Sequence, residues 1–94
     1  MDIRGVYCSL VCADILGLLE NNPEFTDGVG SFLLGCQTYE GGFCCSPFGE
    51  AHGGYTFCAL ASFMILSRVG DKSYEQINYD KLVEWLSNRQ FSQL

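Results

Sequence analysis

The only histidine of the chain, His52, is followed by two glycines, Gly53 and Gly54, and then by a nearly unbroken apolar segment. Glycines let a backbone approach a ligand closely, and a helix that begins here directs its first N–H groups and the positive end of its dipole toward the same point. An imidazole N–H can donate to a phosphate oxygen there, while the apolar face behind it, with Tyr55 and Cys58, can accept a hydrocarbon tail. The pattern favours a ligand with an anionic head and an apolar body. On spacing alone, a histidine beside two glycines is more often a cap or a turn residue, so both interpretations stay open.

Cysteine spacing suggests two metal sites, and neither is complete. Cys8 and Cys12 lie four residues apart, as on one face of a helix, but no second ligand pair follows closely, so we interpret them as core residues. Cys44, Cys45 and His52 would make only a partial zinc site, because adjacent cysteines chelate poorly and a structural site takes four ligands. We therefore predict no metal site from these cysteines.

Acidic side chains are the remaining candidates for chemistry. Glu40 and Glu50 resemble an acid and base pair, but carboxylates in a glycine-rich loop are usually solvated or capping. Asp14 lies on an otherwise apolar helix. It either makes a polar contact with a neighbouring helix or lies on the wall of a cavity, and the sequence leaves both open.

Composition and charge exclude several classes of protein. With 94 residues, 48% apolar and 17% charged, the chain fits one globular domain over 1–94. The formal net charge of −6 argues against nucleic acid and anionic lipid as partners. The longest apolar stretch, Ala59 to Leu66, is far shorter than the roughly 20 residues of a membrane span. Charged residues directly after Met1 argue against a signal peptide, so we read the six cysteines as reduced thiols of a cytoplasmic protein.

Hydrophobic periodicity predicts an all-α chain. The first and third helices are apolar nearly all round, whereas the second and fourth are amphipathic. Thr26 or Asp27 is the candidate N-cap of the second helix. The predicted helices cover about Asp2–Leu19, Asp27–Gln37, Gly54–Val69 and Asp80–Gln90, with a glycine-rich loop over Thr38–Gly53.

The alternation of helices is an internal repeat. "YCSLVCADIL" from Tyr7 aligns with "FCALASFMIL" from Phe57 at a shift of 50 positions, and "FLLGCQ" from Phe32 aligns with "WLSNRQ" from Trp85. The unit is a helix pair, one buried helix followed by one half-exposed helix. Such pairs need neighbours to bury their faces. The second unit stops soon after Gln90, before the loop that follows the first, so we expect the chain to be a piece of a longer array of αα-hairpins.

Three blocks of the sequence resemble a known family. "DIRGVYC" from Asp2, "CQTYEGGF" from Cys36 and "EAHGGYTFC" from Glu50 resemble consecutive blocks of the β subunits of protein farnesyltransferases, and the resemblance covers essentially the whole chain. It implies an α/α barrel, or toroid, in which the first and third helices are inner and the other two are outer. "FCCSPFG" departs from the loop expected there, through Cys44 and Cys45.

The resemblance also implies the site residues. The stretch from His52 through Gly53 and Gly54 to Tyr55 matches the segment that contacts farnesyl diphosphate, with the histidine on the diphosphate. Cys58 matches a cysteine that lines the isoprenoid pocket. Arg4 and Tyr7 match residues of the same cavity, where the arginine lies near the isoprenoid and the carboxylate of the peptide substrate.

Further implications concern cofactor and partners. The family's catalytic zinc is held by residues in blocks that would follow Leu94, so we expect zinc in the full-length enzyme and none in this chain. The expected partners are a prenyltransferase α subunit, farnesyl diphosphate and proteins with a CaaX-type C-terminus, and the isolated chain is expected to be inactive. A β subunit of a geranylgeranyltransferase and a non-catalytic helical-repeat module or inactive fragment remain alternatives.

Overall fold

The structure, a computed structural model, describes residues 2–47 and 49–92. These residues form four α-helices, α1 (Ile3–Ile15), α2 (Val29–Gly35), α3 (Gly53–Arg68) and α4 (Tyr79–Ser92), with short 3₁₀ turns at Pro23–Phe25 and Ser73–Gln76. Within them the only β-type pairing is an isolated bridge between Gln37 and Phe43. The predicted all-α class is confirmed. No helix in this part of the chain is both long and apolar enough to cross a bilayer.

Helix α1 is shorter than predicted and is properly capped. The Asp2 carboxylate accepts a hydrogen bond from the Gly5 N–H at 2.8 Å, so Asp2 is the N-cap residue of this helix. It ends at Ile15 rather than Leu19, because Gly17 adopts a left-handed φ of 72° and the Leu18 N–H turns back to the Ala13 carbonyl. The apolar periodicity of the sequence continues past Ile15, so the predicted C-terminal end of the helix was too late.

Helix α2 differs from the prediction in its cap. Neither Thr26 nor Asp27 is the N-cap residue: Gly28 takes that position with a φ of 75°, and no side chain caps the helix. The left-handed turn at Gly28 delays the helix start to Val29, two residues after the predicted start. The helix buries Val29 and Leu33 against the core.

The loop between α2 and α3 sets where both long helices begin. Phe43 is fully buried, and its carbonyl accepts from the His52 N–H at 3.0 Å while its own N–H donates to the Thr56 hydroxyl at 2.9 Å. Two residues on, the Cys45 carbonyl accepts from the Ile3 N–H at 2.8 Å. The N-terminus of α1 and that of α3 are therefore held next to each other by the same loop.

Helices α1 and α3 lie side by side and run in the same direction. Their contact is the most extensive between any two helices of the described chain. Near the N-terminal ends the Tyr7 and Phe57 rings meet edge to face at 5.9 Å, and near the C-terminal ends the Asp14 carboxylate pairs with Arg68 at 3.0 Å. The apolar core beneath them joins both helices to α2 and α4.

Helix α4 is tied to the first repeat by one side chain. The Gln37 Nε2 donates to the Asn78 carbonyl at 3.0 Å and to the Gly41 carbonyl at 2.9 Å, and its Oε1 accepts from the Asn78 N–H at 3.1 Å. The Asn78 side chain in turn caps α4 by accepting from the Lys81 N–H. This link positions the start of α4, which runs on to Ser92 instead of ending at Gln90.

Candidate functional site

His52 is the N-cap residue of α3. Its Nδ1 accepts a hydrogen bond from the Gly54 N–H at 3.0 Å, and its side chain is exposed. Because Nδ1 accepts this hydrogen bond, the N–H donor of the ring is Nε2, on the side of the imidazole opposite the bond to Gly54. The cap interpretation of His52 therefore holds, and it leaves an outward N–H donor at the N-terminus of α3. The Gly54 N–H is used by the ring and is not open to a ligand.

Tyr55 links His52 to α1. The two rings lie 5.2 Å apart between centroids, tilted by 51°. The Arg4 guanidinium of α1 lies 5.5 Å from the centre of the Tyr55 ring, a distance typical of a cation–π contact. Arg4 is exposed, so its guanidinium is accessible to a ligand that approaches Tyr55. The structure thus brings Arg4, His52 and Tyr55 together, as the sequence interpretation requires.

Cys58 lies one turn beyond Tyr55 and is half-buried. Burial raises the pKa of its thiol, the neighbouring Cys8 thiol raises it further, and the Arg4 guanidinium lowers it by a smaller amount. The net direction is upward, so Cys58 stays a neutral thiol and behaves as a small apolar residue at neutral pH. It is suited to the wall of an apolar pocket and unsuited to nucleophilic attack.

Tyr7 lies on the same α1–α3 surface but does not join the histidine cluster. Its ring contacts Phe57, and it lines an open groove of about 550 Å³ between the two helices. Asp14 lies on the groove wall and also pairs with Arg68, so both interpretations of this residue are confirmed. The remaining lining residues are Val11, Ala61, Met64, Ile65 and Ser67. The groove extends the apolar surface away from the charged end formed by Arg4 and His52.

One basic residue near the site was missed by the sequence analysis. The Arg89 guanidinium of α4 lies close to Gly53, where a Cβ added to the glycine would be 3.8 Å from its nitrogen. It also lies over the Trp85 ring at 5.1 Å. Spacing within α4 predicts the contact with Trp85, since the two residues are one turn apart. Nothing in the sequence indicates that α4 brings this charge to the start of α3.

The alternative chemical sites are not formed. No group of three or more His, Cys, Asp or Glu side chains in residues 2–47 and 49–92 is arranged to hold a metal ion, so Cys44, Cys45 and His52 do not make a zinc site. Cys8 and Cys12 are exposed, which makes their interpretation as core residues wrong: the first helix is not buried on that face. Burial and the neighbouring thiols of Cys44 and Cys45 raise the pKa of Cys36 to about 11.

Comparison with known proteins gives a consistent family assignment. Residues 1–94 match the family described as prenyltransferase alpha-alpha toroid domain. The chain is 41% identical over 90 residues to the protein farnesyltransferase subunit beta of Arabidopsis thaliana, which covers 96% of this chain and 17% of that relative. It is 50% identical over 93 residues to the subunit of the same name from Saccharomyces cerevisiae, covering 99% of this chain and 20% of the relative.

A weaker similarity extends to a second class of subunit. The geranylgeranyl transferase type-1 subunit beta of Arabidopsis thaliana is 33% identical over 95 residues, which cover 95% of this chain and 25% of that relative. In each of these comparisons, therefore, the chain spans a quarter or less of the relative it matches.

Proposed function

The chain belongs to the prenyltransferase alpha-alpha toroid family, and from that premise we propose that it forms part of the substrate cavity of a protein farnesyltransferase β subunit. In this proposal the α1–α3 surface binds farnesyl diphosphate and borders the place of a CaaX-type peptide. Contact residues are Arg4, Tyr7, His52, Gly53, Gly54, Tyr55 and Cys58.

The hydrogen bond between Gly54 and His52 carries the proposal. By occupying Nδ1, it fixes the ring and leaves Nε2–H as a donor for a diphosphate oxygen. The positive end of the α3 dipole and the exposed Arg4 guanidinium add favourable charge at the same place. Arg89, beside Gly53, adds a second cation. In a chain with a net charge of −6, this concentration of positive groups is a local exception.

The apolar half of the ligand has a matching surface. The Tyr55 ring and the neutral Cys58 thiol lie directly behind the charged cluster, and Tyr7 leads on into the groove between α1 and α3. A hydrocarbon tail placed there removes apolar surface from water at about 25 cal/mol per Å². The anionic head and the apolar tail are thus accommodated at adjacent ends of one surface.

The proposed role in transfer is electrostatic. When a thiolate of the protein substrate attacks the first carbon of the farnesyl group, the carbon–oxygen bond breaks and the diphosphate leaves with the bonding electrons. Donors that are already oriented toward the departing oxygens stabilise this charge as it develops. His52 Nε2–H and the Arg4 guanidinium would supply that stabilisation from this chain.

Zinc is not assigned to these residues. The described side chains offer no fitting ligand set, so no step of the proposal passes through a metal ion held by this chain. We propose that the zinc of the complete enzyme is held by other residues of the β subunit. An α subunit is the proposed partner, and the free cysteines are compatible with a cytoplasmic location.

A chimeric enzyme tests the proposal. This chain replaces the matched segment of the Arabidopsis β subunit, and the product is purified with an α subunit. We expect the chimera to bind farnesyl diphosphate and to transfer the farnesyl group to a CaaX peptide. A chimera that assembles normally but does not bind the diphosphate, while the parent enzyme does, would overturn the proposal.

The same chimera separates the alternatives. Binding without transfer, under conditions in which the parent transfers, would favour a non-catalytic binding module. Because the chain is also similar to a geranylgeranyl transferase subunit, kcat/KM of the chimera is measured with farnesyl diphosphate and with geranylgeranyl diphosphate. We expect the value to be higher for farnesyl diphosphate. A reversed preference would assign the segment to the second class.

A further inference from the structure

Three of the six cysteines lie close together around one loop and have no part in the proposed function. Cys36 is the C-cap residue of α2, and Cys44 and Cys45 follow in the loop that leads to α3. Cys36 and Cys44 are 1% and 5% exposed, whereas Cys45 is half-buried, and all three are free thiols. Cys44 and Cys45 are also the positions at which this loop departs from the one that the family resemblance leads us to expect.

Backbone pairing places Cys36 and Cys44 opposite each other. The chain reverses its direction between them, because Gln37 forms an antiparallel bridge with Phe43 and the Cys44 N–H donates to the Cys36 carbonyl at 2.9 Å. Residues paired through such a hydrogen bond typically have Cα atoms about 5.5 Å apart. A disulfide spans Cα separations of about 4.4–6.8 Å. The backbone therefore brings these two buried cysteines to a separation that one disulfide can bridge.

Cys45 is a less suitable partner. Consecutive Cα atoms are about 3.8 Å apart across a trans peptide, which is too short for an unstrained disulfide between Cys44 and Cys45. The thiol of Cys45 lies 4.0 Å from the Ser46 hydroxyl, and its carbonyl is used by the Ile3 N–H at the start of α1. The favoured pair is thus the one that the loop backbone joins, Cys36 with Cys44.

We propose that Cys36 and Cys44 form a reversible oxidation site, at which a peroxide converts the two thiols into one disulfide. The Cys44 thiolate attacks one oxygen of hydrogen peroxide, the O–O bond breaks, and a sulfenic acid forms while the released hydroxide takes up a proton to give water. The Cys36 thiolate then attacks the Cys44 sulfur, the S–O bond breaks, and a second water leaves. Two electrons pass from the two thiols to one peroxide. A small thiol such as glutathione restores both cysteines by exchange.

Cys36 limits the closing step. Burial and the thiols of Cys44 and Cys45 raise its pKa to about 11, so nearly all of Cys36 is a neutral thiol at pH 7. Only the thiolate attacks, and the thiolate fraction rises about tenfold for each pH unit below the pKa. Closure is therefore slow at neutral pH and accelerates as the solution becomes alkaline.

The same loop connects the oxidation site to the α1–α3 surface. Phe43, next to Cys44, donates to the Thr56 hydroxyl and accepts from the His52 N–H, so it positions the start of α3. In the reduced loop the Cys44 sulfur lies against Gly49, where a Cβ would overlap it. Formation of the disulfide moves this sulfur toward Cys36 and displaces the backbone that holds His52. We expect weaker binding of farnesyl diphosphate in the oxidised state, a consequence that rests on the function proposed above.

Peptide mapping of the chimeric enzyme tests the site. The reduced chimera is treated with hydrogen peroxide, the remaining thiols are alkylated, and the protein is cleaved after glutamate without a reductant. Cleavage at Glu40 separates Cys36 from Cys44 and Cys45, so we expect two peptides joined by a disulfide that dithiothreitol breaks. The linked pair should form roughly tenfold or more faster at pH 9 than at pH 7.

Substitutions identify the pair. Cys45→Ser is the matched control and should keep the linked peptides, whereas Cys36→Ala and Cys44→Ala should each remove them. Circular dichroism of the reduced variants checks that the fold is kept. A parent protein that forms no linked peptides while its exposed cysteines are oxidised would overturn the proposal. Linked peptides that persist in Cys44→Ala and disappear in Cys45→Ser would also overturn it, because the disulfide would then join Cys36 to Cys45.

Binding measurements on the same preparations test the consequence for the ligand. Peroxide should weaken farnesyl diphosphate binding by the parent chimera about tenfold, dithiothreitol should restore it, and the Cys44→Ala chimera should respond to neither. Equal weakening in both proteins would place the effect at other cysteines and overturn the link between the loop and the ligand. A reduced parent chimera that does not bind the diphosphate contradicts the proposed function instead, and the mapped disulfide then decides the oxidation site by itself.

Discussion

The imidazole of His52 and the N–H of Gly54 form a hydrogen bond of 3.0 Å in which the ring nitrogen Nδ1 is the acceptor. This bond satisfies a helix N–H that has no partner within the helix, and it fixes which ring nitrogen carries the proton. Capping and ligand binding are therefore compatible roles for one side chain, carried by its two nitrogens. A substitution that keeps the capping role of Nδ1 but removes the donor role of Nε2 separates the two roles.

His52→Ala and His52→Asp are the substitutions that separate the two roles. Alanine removes both the cap and the donor, so we expect a loss of about 0.5–2 kcal/mol in the free energy of unfolding. Aspartate is a good N-cap residue, so stability should stay close to that of the parent. In the chimeric enzyme both variants should bind farnesyl diphosphate about ten- to a hundredfold more weakly, since a hydrogen bond to a charged group contributes about 1.5–3 kcal/mol. Denaturant unfolding and equilibrium binding on the same preparations measure the two effects.

The aspartate variant gives the decisive comparison. If His52→Asp keeps both stability and normal diphosphate affinity, the histidine is only a cap and the proposed contact with the diphosphate is wrong. Aspartate also repels a diphosphate, so His52→Asn, an equally good N-cap without the charge, is the matched control. Loss of affinity with stability retained in His52→Asn assigns the ring a role beyond the helix start.

Gln37 is predicted to be a main link between the first repeat and α4. Its amide makes two hydrogen bonds to the backbone of Asn78 and one to that of Gly41. Gln37→Glu keeps the shape but replaces the donating nitrogen by an oxygen, which would then face two carbonyls. We expect a loss of about 1–3 kcal/mol in the free energy of unfolding. Glu84→Gln, on the exposed side of α4, is the control, and an equal response of the two variants would count against the link.

The sequence predicted the features that depend on local patterns. The four helices followed from periodicity and from the repeat. Arg4 lies beside Tyr55, which is compatible with the single cavity that the family resemblance implies, and the inner or outer placement of each helix stays a prediction. Helix ends were less accurate, because Gly17 and Gly28 adopt left-handed conformations that stop or delay a helix while the apolar pattern continues. The sequence alone does not indicate whether a given glycine adopts a positive or a negative φ.

Features that depend on packing between distant elements were not predictable. Cys8 and Cys12 have apolar neighbours in sequence and were interpreted as core residues, yet both side chains are exposed. Arg89 reaches Gly53 because Gln37 and Asn78 fix the start of α4, and that link spans 41 positions of the chain. Such placements depend on tertiary contacts, which cannot be predicted from the hydrophobic periodicity of the sequence.

Zinc content is a further prediction for the isolated chain. A structural zinc site takes four ligands, and the described residues do not bring three suitable side chains together. We expect elemental analysis of the purified chain, after mild chelation, to find well below one zinc per chain. One tightly held zinc that survives chelation, and is lost in a Cys44→Ser variant, would contradict the structure around the loop.

Cys36 makes the stability of the fold dependent on alkaline pH. Its folded-state pKa is about 11, against an ordinary value of 9.0, because burial and the nearby thiols of Cys44 and Cys45 disfavour the thiolate. The fold thus favours the neutral thiol, so this contribution to stability is complete below pH 9 and is lost as the pH rises toward 11. We expect the free energy of unfolding to fall by about 1–3 kcal/mol across this window. In Cys36→Ala the corresponding part of the slope should be absent, and an unchanged slope would contradict the assignment.

Gly41 and Gly17 offer a matched test of how the loop is packed. Both have a positive φ, 118° and 72°, but nothing lies within 4 Å of a Cβ added at Gly17, whereas one added at Gly41 would overlap the Lys81 carbonyl at the start of α4. Gly17→Ala should therefore cost only the backbone strain, about 1–2 kcal/mol. Gly41→Ala should cost that strain plus about 1–3 kcal/mol for forcing the loop and α4 apart. Thermal and denaturant unfolding measure both. Equal losses in the two variants would mean that the loop does not contact α4 closely, and the placement of Arg89 beside Gly53 would then lose its support.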